Sequence, residues 1–515
     1  MTKALRLWHA YATLLAYTLF RLWLIPSDVA VTAAFTHDSG YLSIVARNVA
    51  QGAGFINQAH WLLFLDPPRL PIPYHNANPF YPALSALVSQ LSGWDVTHSG
   101  AVVSLLGHVI LGVAVFLLVT AFEVGPLIGC LAAIAVMFFP VNFRESFAVL
   151  PDALATGLGV AVWAVVVRAR SSLHWLAGGV LFGLAWLTRS TALLSLPVLV
   201  LYVVCRHGWR LPLRWLALFA AAALLTISPW LIHTARTWGS PLRSDAIFYW
   251  LQNYHAQRKG IEVNQYWRGL LPPPSFKEVL REDALGFATQ SLRGIPVAAW
   301  QWMAQIAFSS KVCMAFFGMS LGLGAWQLRR QHRYWLEVLA MLLLAALTFL
   351  SLTVRGASLE ARYLGLSNVC LALLAFAACF LRPVWLAAPA WMFWLALVPM
   401  QNWRSASQLL STQPDLITYR QAAQEFAQRS SAGPVVTPMP YFYTYYTGQP
   451  AISPPYPGKS ELIAVMRKYG ASQLWVPPDP EFSLQFLYPG APASLRPEFI
   501  SDLFSTTLQL QLPTP

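Results

Sequence analysis

The sequence predicts a mainly α-helical, polytopic membrane protein with about eleven transmembrane helices, juxtamembrane helices and a small C-terminal α/β domain. Hydrophobic residues make up 57% of the 515 residues and charged residues only 11%, whereas a soluble domain usually carries about 25% charged residues. The apolar residues fall into runs of about 20, the length that crosses a bilayer. The 22 Trp and 19 Tyr are typical of membrane–water interfaces.

Basic residues between the apolar runs predict the orientation of the spans. The candidate spans lie near residues 7–26, 99–121, 124–140, 150–168, 173–189, 190–205, 213–233, 304–328, 334–353, 363–381 and 384–402. Even-numbered spans end at Arg168, Arg206, Arg329 and Arg382, and basic loops stay cytoplasmic; the loop after span two, with Glu123, is the exception. We therefore predict a multi-pass protein of the cell (inner or plasma) membrane with a cytoplasmic N-terminus and an extracytoplasmic C-terminal domain.

The predicted membrane domain covers residues 1–402, with long extracytoplasmic loops at 27–98 and 234–300. The first loop contains a proline-rich stretch and a helix over 80–91, too short to span, which we predict to lie at the membrane surface. Residues 403–515 are mixed in composition. Helices and strands alternate there, which favours a small α/β layer. The helices are predicted at 415–429 and 459–469, and the strands at 433–437, 473–476 and 507–512.

Several classes of partner are excluded by composition and motif. The net charge of +13 arises from short clusters between spans, and no nucleic-acid-binding motif is present, so we expect no nucleic-acid partner. The sequence has no glycine fingerprint for dinucleotides and no P-loop. Its five cysteines lie in or beside apolar runs without metal-ligand spacing, as small buried hydrophobes do.

Asp38 stands just outside the first predicted span, at the start of a predicted amphipathic helix that lies on the bilayer and ends at Gly52. A carboxylate in this position is a candidate catalytic base at the membrane surface. The alternative is an N-cap, since acids are common there. His37 precedes it and is a candidate metal ligand, although two adjacent ligands without further partners are a weak signal.

Other charged residues near the extracytoplasmic ends of spans are predicted to converge on one polar cavity, because a charge at the bilayer centre costs roughly 2.5–3.5 kcal/mol. They include Glu145, Asp152, Arg189, Arg236 and Arg362. Each has a simpler explanation. Arg189 and Arg362 could be interface anchors, Asp152 a helix cap, and Glu145 a surface partner of Arg144.

These residue types fit transfer of a sugar from a lipid phosphate. Cations hold and stabilise the leaving phosphate, a carboxylate deprotonates the acceptor hydroxyl, and a lipid donor arrives through the bilayer without a nucleotide-binding fold. His75, in a loop, would bind phosphate when protonated, but an isolated histidine is more often structural.

Ordered motifs along nearly the whole chain resemble the GT-C integral-membrane glycosyltransferases, in the branch similar to protein O-mannosyltransferases and the aminoarabinose transferase. They include Asp38-x-x-Tyr41, Asn78-Pro-Phe-Tyr-Pro82, Pro151-Asp-Ala-Leu-Ala-Thr156, Leu187-Thr-Arg-Ser-Thr191, Pro229-Trp-Leu-Ile-x-x-x-Arg236 and Ala361-Arg-Tyr-Leu364. The first-loop acid of the family is its usual base, which carries over to Asp38, and a second acid matches Asp152 or Glu145. Protein mannosyltransferases usually have Asp-Glu here, whereas Ser39 follows Asp38.

The resemblance implies an inverting transfer from a polyprenyl-phosphate sugar donor to an acceptor glycan, lipid or protein at the extracytoplasmic face of the lipid bilayer. Tyr41 and Tyr363 lie in the matching motifs and are further candidate site residues. Some relatives need a divalent cation, but the sequence shows no metal cluster. Three alternatives remain: a transporter or flippase of lipid-linked sugar, a ligase or polymerase using a diphosphate-linked donor, and a non-catalytic member.

Overall fold

A computed structural model describes residues 15–33, 35–61, 69–74, 79–207, 213–242, 275–307, 311–330, 335–353, 361–381, 384–430, 433–455 and 459–475, together with residues 12, 63, 67 and 260. The chain divides into two compact units. The helical unit comprises Met1–Val29, His75–Ala246 and Ala288–Leu410, and the α/β unit comprises Ala30–Tyr74, Ile247–Phe287 and Ser411–Pro515. The sequence predicts one boundary near residue 402, whereas the α/β unit joins part of the first loop to the tail.

Helices and strands follow one another in this order along the chain. The helices are α1 (15–23), α2 (His37–Ala50), α3 (Phe80–Ser92), α4 (Val96–Thr120), α5 (Pro126–Phe138), α6 (Pro140–Glu145), α7 (Asp152–Val167), α8 (Ser172–Thr188), α9 (Ser195–His207), α10 (Leu213–Trp238), α11 (Phe276–Ala307), α12 (Lys311–Arg330), α13 (Trp335–Thr353), α14 (Gly365–Ala377), α15 (Val384–Leu410), α16 (Pro414–Arg429), α17 (Pro440–Thr447) and α18 (Lys459–Tyr469). The strands are β1 (Ile56–Asn57), β2 (Ala59–His60), β3 (Ile72–Pro73), β4 (Val435–Val436), β5 (Ala451–Ile452) and β6 (Gln473–Leu474).

Among the described residues, three helices are both long and apolar enough to cross a membrane: α4, α10 and α15. Six shorter apolar helical segments of 10–17 residues accompany them. The helical unit packs its inner faces into one apolar core and exposes large apolar side chains outward, such as Leu224, Leu225 and Leu173. Exposed apolar side chains in this number fit contact with lipid. The count of about eleven spans stays a prediction.

Helix α11 lies where the sequence predicts the second long loop and the start of a span. It runs from Phe276 to Ala307 and has a kink at Asp283 (φ −158°, ψ 59°). Apolar runs in the sequence did not predict this helix, because its residues are mixed in charge. A helix without a continuous apolar stripe gives no signal for a membrane span. The following helix therefore begins at Lys311, later than the predicted start of that span.

The α/β unit contains a four-stranded parallel sheet in the order β2-β5-β4-β6. Its edge strand β2 comes from the first loop and pairs Ala59 with Ala451. A second pair, β1 with β3, is antiparallel. The predicted helices at 415–429 and 459–469 are confirmed within one residue. The predicted strands at 433–437 and 473–476 are present but shorter, as the two-residue strands β4 and β6. The predicted strand over 507–512 lies outside the described residues.

Helix α2 differs from the predicted amphipathic surface helix. It begins at His37, and its residues from Ser39 to Ala46 are all buried. Tyr41 and Gly40 pack against Tyr441 of α17. The helix is therefore a core element of the α/β unit. Gly52, with φ +78°, takes up the left-handed conformation soon after the helix ends, as the sequence predicts.

In the helical unit, α4 and α7 touch backbone to backbone. A Cβ added at Gly107 would lie 2.3 Å from the Cα of Leu154, and one added at Gly157 would lie 2.2 Å from the carbonyl oxygen of Gly107. Both separations are far below van der Waals contact, and backbone atoms cannot rotate away. Glycine is therefore required at both positions for this approach of the two helices.

We expect Gly157→Ala to lower thermal stability in detergent micelles, since overpacking a helix contact costs about 1–3 kcal/mol. The matched control is Gly318→Ala on α12, where no described heavy atom lies within 4 Å of the added Cβ. The control should gain up to about 1 kcal/mol from helix propensity. Equal stabilisation of the two variants would contradict the backbone contact.

Candidate active site

A polar cavity of about 250 Å³ lies within the helical unit, between α4, α6, α7 and the start of α14. Its polar lining residues are His108, Asn142, Glu145, Asp152, Thr156, Arg362 and Asn368. Three of the charged residues selected from the sequence, at positions far apart in the chain, thus meet around one cavity. Asn368 accepts a hydrogen bond from the indole nitrogen of Trp302 (3.0 Å), which fixes its amide.

Asp152 is the first residue of α7 and only 2% exposed. The N-cap position is Pro151, and no side chain caps this helix. One carboxylate oxygen of Asp152 instead accepts a hydrogen bond from Arg189. Arg189 follows α8 with an extended backbone (φ −157°, ψ 125°) that ends the helix. The guanidinium of Arg189 therefore pairs with a buried acid. The alternative, in which Arg189 is an anchor at the membrane interface, does not describe this contact.

Glu145 ends the short helix α6 and is only 6% exposed. Its carboxylate accepts a hydrogen bond from Arg144 and lies 3.1 Å from a terminal guanidinium nitrogen of that residue. The alternative that Glu145 pairs with Arg144 at the protein surface is correct about the pair but wrong about its location, since Glu145 is buried. Burial raises the pKa of Glu145, and the neighbouring charge of Asp152 adds to this, while Arg144 and Arg362 oppose it.

The other predicted cations have different surroundings. Arg362 lies in a 3-10 turn over Ala361–Leu364, is partly buried and lines the polar cavity. Arg236 is exposed in the last turn of α10 and is not part of the cavity wall among the described residues. His75 lies outside the described residues, and so does the side chain of Tyr363. The roles of all four residues stay predictions.

Arg21 of α1 is a buried cation that the sequence analysis missed. It is 2% exposed and donates hydrogen bonds to Tyr17 (2.9 Å) and Ser146 (2.6 Å). Its guanidinium carbon lies 3.4 Å from the ring centroid of Phe147. The hydroxyl of Tyr17 is in turn 3.1 Å from His108 Nε2, in the cavity wall. The missed signal was an arginine inside an apolar run, which is a functional candidate by default.

In the α/β unit, Asp38 lies exposed in the first turn of α2. The cap of this helix is Thr36, whose hydroxyl accepts a hydrogen bond from the Ser39 amide (3.3 Å). The N-cap alternative for Asp38 is therefore wrong, because the cap position is already filled. An acid in the first turn still interacts favourably with the helix dipole, and its carboxylate reaches the surface of the unit.

Aromatic side chains surround this turn. The ring of His37 packs edge-on against Trp61 (centroids 4.2 Å apart) and Tyr441 (4.5 Å). Tyr41 stacks on Tyr74 (5.6 Å). Within the described part of the chain, no group of three His, Cys, Asp or Glu side chains is placed to hold a metal ion. The arrangement thus combines one exposed carboxylate with apolar ring faces and edges.

Comparisons with known proteins agree with this architecture. Residues 75–233 match the family model of dolichyl-phosphate-mannose-protein mannosyltransferases. ArnT from Cupriavidus metallidurans bound to undecaprenyl phosphate is similar in structure, with a TM-score of 0.59 and 14% identity over 92% of this chain and 94% of that chain. So is the Archaeoglobus fulgidus oligosaccharyltransferase tethered to an acceptor peptide (TM-score 0.57, 11% identity, 91% and 69%). Curated proteins gave no sequence match. At these identities, the structural likeness shows a shared fold.

We expect Arg189→Gln to destabilise the protein by about 3–5 kcal/mol, because it leaves the buried carboxylate of Asp152 without its cation. Thermal unfolding in detergent would measure this. Adding Asp152→Asn to the same chain should recover much of the loss, since the uncompensated charge disappears. The exposed arginine gives the matched control: Arg236→Gln should change stability by less than about 0.5 kcal/mol. Equal effects of the two arginine substitutions would contradict the pairing.

We expect Glu145→Gln to stabilise the protein more at pH 8 than at pH 5. The folded-state pKa of Glu145 is raised by burial. The folded protein therefore favours the neutral acid, and stability is lost as the pH rises from the unfolded pKa through the folded one. Glutamine removes this loss. Unfolding midpoints of both proteins across that range would test it, and a pH-independent difference would contradict the raised pKa.

Proposed function

We propose that the protein transfers a sugar from a polyprenyl-phosphate-linked donor to an acceptor hydroxyl, with inversion at the anomeric carbon. The likeness to GT-C glycosyltransferases supports this proposal. The observation that carries the proposal is Asp38, an exposed acid in a helix that another residue caps. The acceptor would be a glycan, lipid or protein.

Asp38 is the proposed base. In an inverting transfer, the acceptor oxygen attacks the anomeric carbon while the bond to the donor phosphate breaks, and the hydroxyl proton passes to a carboxylate. A positioned base contributes about 10²–10⁴-fold. The exposure of Asp38 supports this role, since an acceptor can reach it. Neighbouring His37 and Trp61 offer ring surfaces on which the apolar face of a sugar could rest, and Tyr41 is proposed to support this turn from the buried side.

Cations are proposed to hold the donor phosphate and to stabilise it as it leaves. The candidates are Arg189, Arg236, Arg362 and, when protonated, His75. Arg362 has the strongest support, because it lines the polar cavity. Arg189 already pairs with Asp152, so its share would be to fix that acid. Asp152 and Glu145 are proposed to shape the site and to orient the cations. Holding undecaprenyl phosphate, as ArnT does in its crystal structure, would suit such a set.

The proposed site faces away from the cytoplasm. Helix α7 carries Asp152 in its first turn, and Arg168 directly follows its last residue. The acids and the basic loop thus lie at opposite ends of one apolar helix. Because basic loops stay cytoplasmic, we propose that the acids are extracytoplasmic and that the N-terminus is cytoplasmic.

The experiment is a transfer assay with purified protein in lipid nanodiscs, synthetic polyprenyl-phosphate sugars and a panel of acceptor glycans, lipids and peptides. We expect Asp38→Asn to reduce transfer by about 10²–10⁴-fold with little change in unfolding midpoint, because Asp38 is exposed. Thr36→Ala is the matched control. Loss of that cap costs about 0.5–2 kcal/mol of stability, but the base is kept.

Three results would count against the proposal. Unchanged transfer by well-folded Asp38→Asn would overturn the assignment of the base. Transfer only from diphosphate-linked donors would identify a ligase or polymerase. Movement of labelled lipid-linked sugar across sealed vesicles, without transfer to any acceptor, would identify a flippase.

A further inference from the structure

A second cavity in the helical unit has no part in the proposed transfer. Its volume is about 520 Å³, part of which is open to the outside of the protein. Its walls come from α4, α7, α9, α13 and α14 and are apolar except at one end. The wall residues used below are Val160, Trp163, Val167, Ala340, Leu344 and Val369.

The polar end of this cavity is built from three side chains. Tyr202 and Glu337 both line it, and the phenol of Tyr202 donates a hydrogen bond to Glu337 Oε1 (3.3 Å). Arg206, one turn further along α9, donates to the same phenol oxygen. Arg206 is exposed, whereas Tyr202 is buried. A cation outside and an acid inside are therefore joined through one phenol at the mouth of an apolar space.

The position of the cavity separates it from the polar one. On α7 its walls are Val160, Trp163 and Val167, in the half of the helix that ends beside Arg168. Asp152 and Thr156, which line the polar cavity, lie in the opposite half. The two cavities thus occupy opposite halves of the bilayer thickness if α7 spans it. A polyprenyl-phosphate donor bound with its phosphate at the polar cavity would therefore have its headgroup at the end of α7 opposite to the second cavity.

We propose that this second cavity binds one acyl chain of a membrane phospholipid whose headgroup carries both a phosphate and a primary ammonium group. Apolar wall side chains lose dispersion contacts wherever the space beside them is unfilled, and water gains little there without polar partners. In a bilayer, the abundant apolar filler is an acyl chain.

The charges at the mouth select the headgroup. Arg206 is suited to the phosphate through charge-assisted hydrogen bonds. Glu337 is suited to the ammonium, since its Oε2 is buried and makes no hydrogen bond to any described residue. An anionic headgroup without an amine would satisfy the arginine but leave the carboxylate beside a negative charge.

Native mass spectrometry of the intact protein tests the proposal. Purified protein would be delipidated in detergent and titrated with phosphatidylethanolamine, phosphatidylglycerol or a polyprenyl phosphate. We expect one phosphatidylethanolamine to bind in preference to the other two. Arg206→Gln should weaken this binding by about tenfold, as expected for the loss of one charge-assisted hydrogen bond. Glu337→Gln should abolish the preference over phosphatidylglycerol.

Filling the cavity provides the second arm. Ala340→Trp places a large ring in the wall and should prevent binding of the acyl chain. The matched control is Leu342→Trp on the same helix, because Leu342 is 43% exposed and outside the cavity; it should bind lipid as the wild type does. If Ala340→Trp does not fold, Val369→Phe fills the same space from α14. The proposal is overturned if the cavity-filling variant and Leu342→Trp retain lipid equally, or if the polyprenyl phosphate binds best.

Discussion

The contact between α4 and α7 is the constraint on which the polar cavity depends. Gly107 and Gly157 allow the two backbones to touch, and each is a chain neighbour of a cavity residue, His108 and Thr156 respectively. The helix spacing therefore sets the width of the cavity directly. Because a backbone contact has no rotamers through which to relax, Asp152 on α7 and His108 on α4 are held at a fixed separation. Pre-organisation of this kind is what an active site needs to bind charge without rearranging.

Placing charge inside an apolar bundle imposes a second requirement, namely a partner for each ion. Asp152 has Arg189, Glu145 has Arg144, and Arg21 has two hydroxyl groups and the face of Phe147. A buried charge left alone would be far more costly than these pairs. Arg144 is the chain neighbour of Glu145, whereas the contacts of Arg189 with Asp152 and of Arg21 with Ser146 join distant segments of the chain. These two contacts therefore also link α7 to the end of α8, and α1 to the residue that follows α6.

Local patterns carried most of what the sequence could predict. The helices α16 and α18 have an apolar face, and Gly470 ends the second, so both were located within one residue. Acids and arginines near span ends were selected because charge beside lipid needs a reason, and three of them line the cavity. Pairing partners were not predictable, because the contact of Asp152 with Arg189 depends on how two helices pack rather than on either sequence.

Other elements were not predicted from the sequence, and the reason can be given for each. The aromatic run that forms α17 has neither helical nor strand periodicity. The strand β5 is two residues long, too short for an alternating pattern. The polar composition of helix α11 led to the prediction of a loop over most of its length. Arg21 sits among apolar neighbours, where a search restricted to span ends did not look. In each case the decisive interaction is tertiary, and single-sequence patterns record only the local part.

The strand order of the small sheet has a consequence for biosynthesis. Strand β2 is translated early and β5 near the end of the chain, yet the two are direct neighbours. The early strand must therefore wait, unpaired, while the ribosome makes everything between them. Contacts of such long sequence separation form late and slowly. A chain released before residue 451 would leave the edge of β2 without its partner strand and open to aggregation, so assembly of the sheet requires that both distant segments have been synthesised.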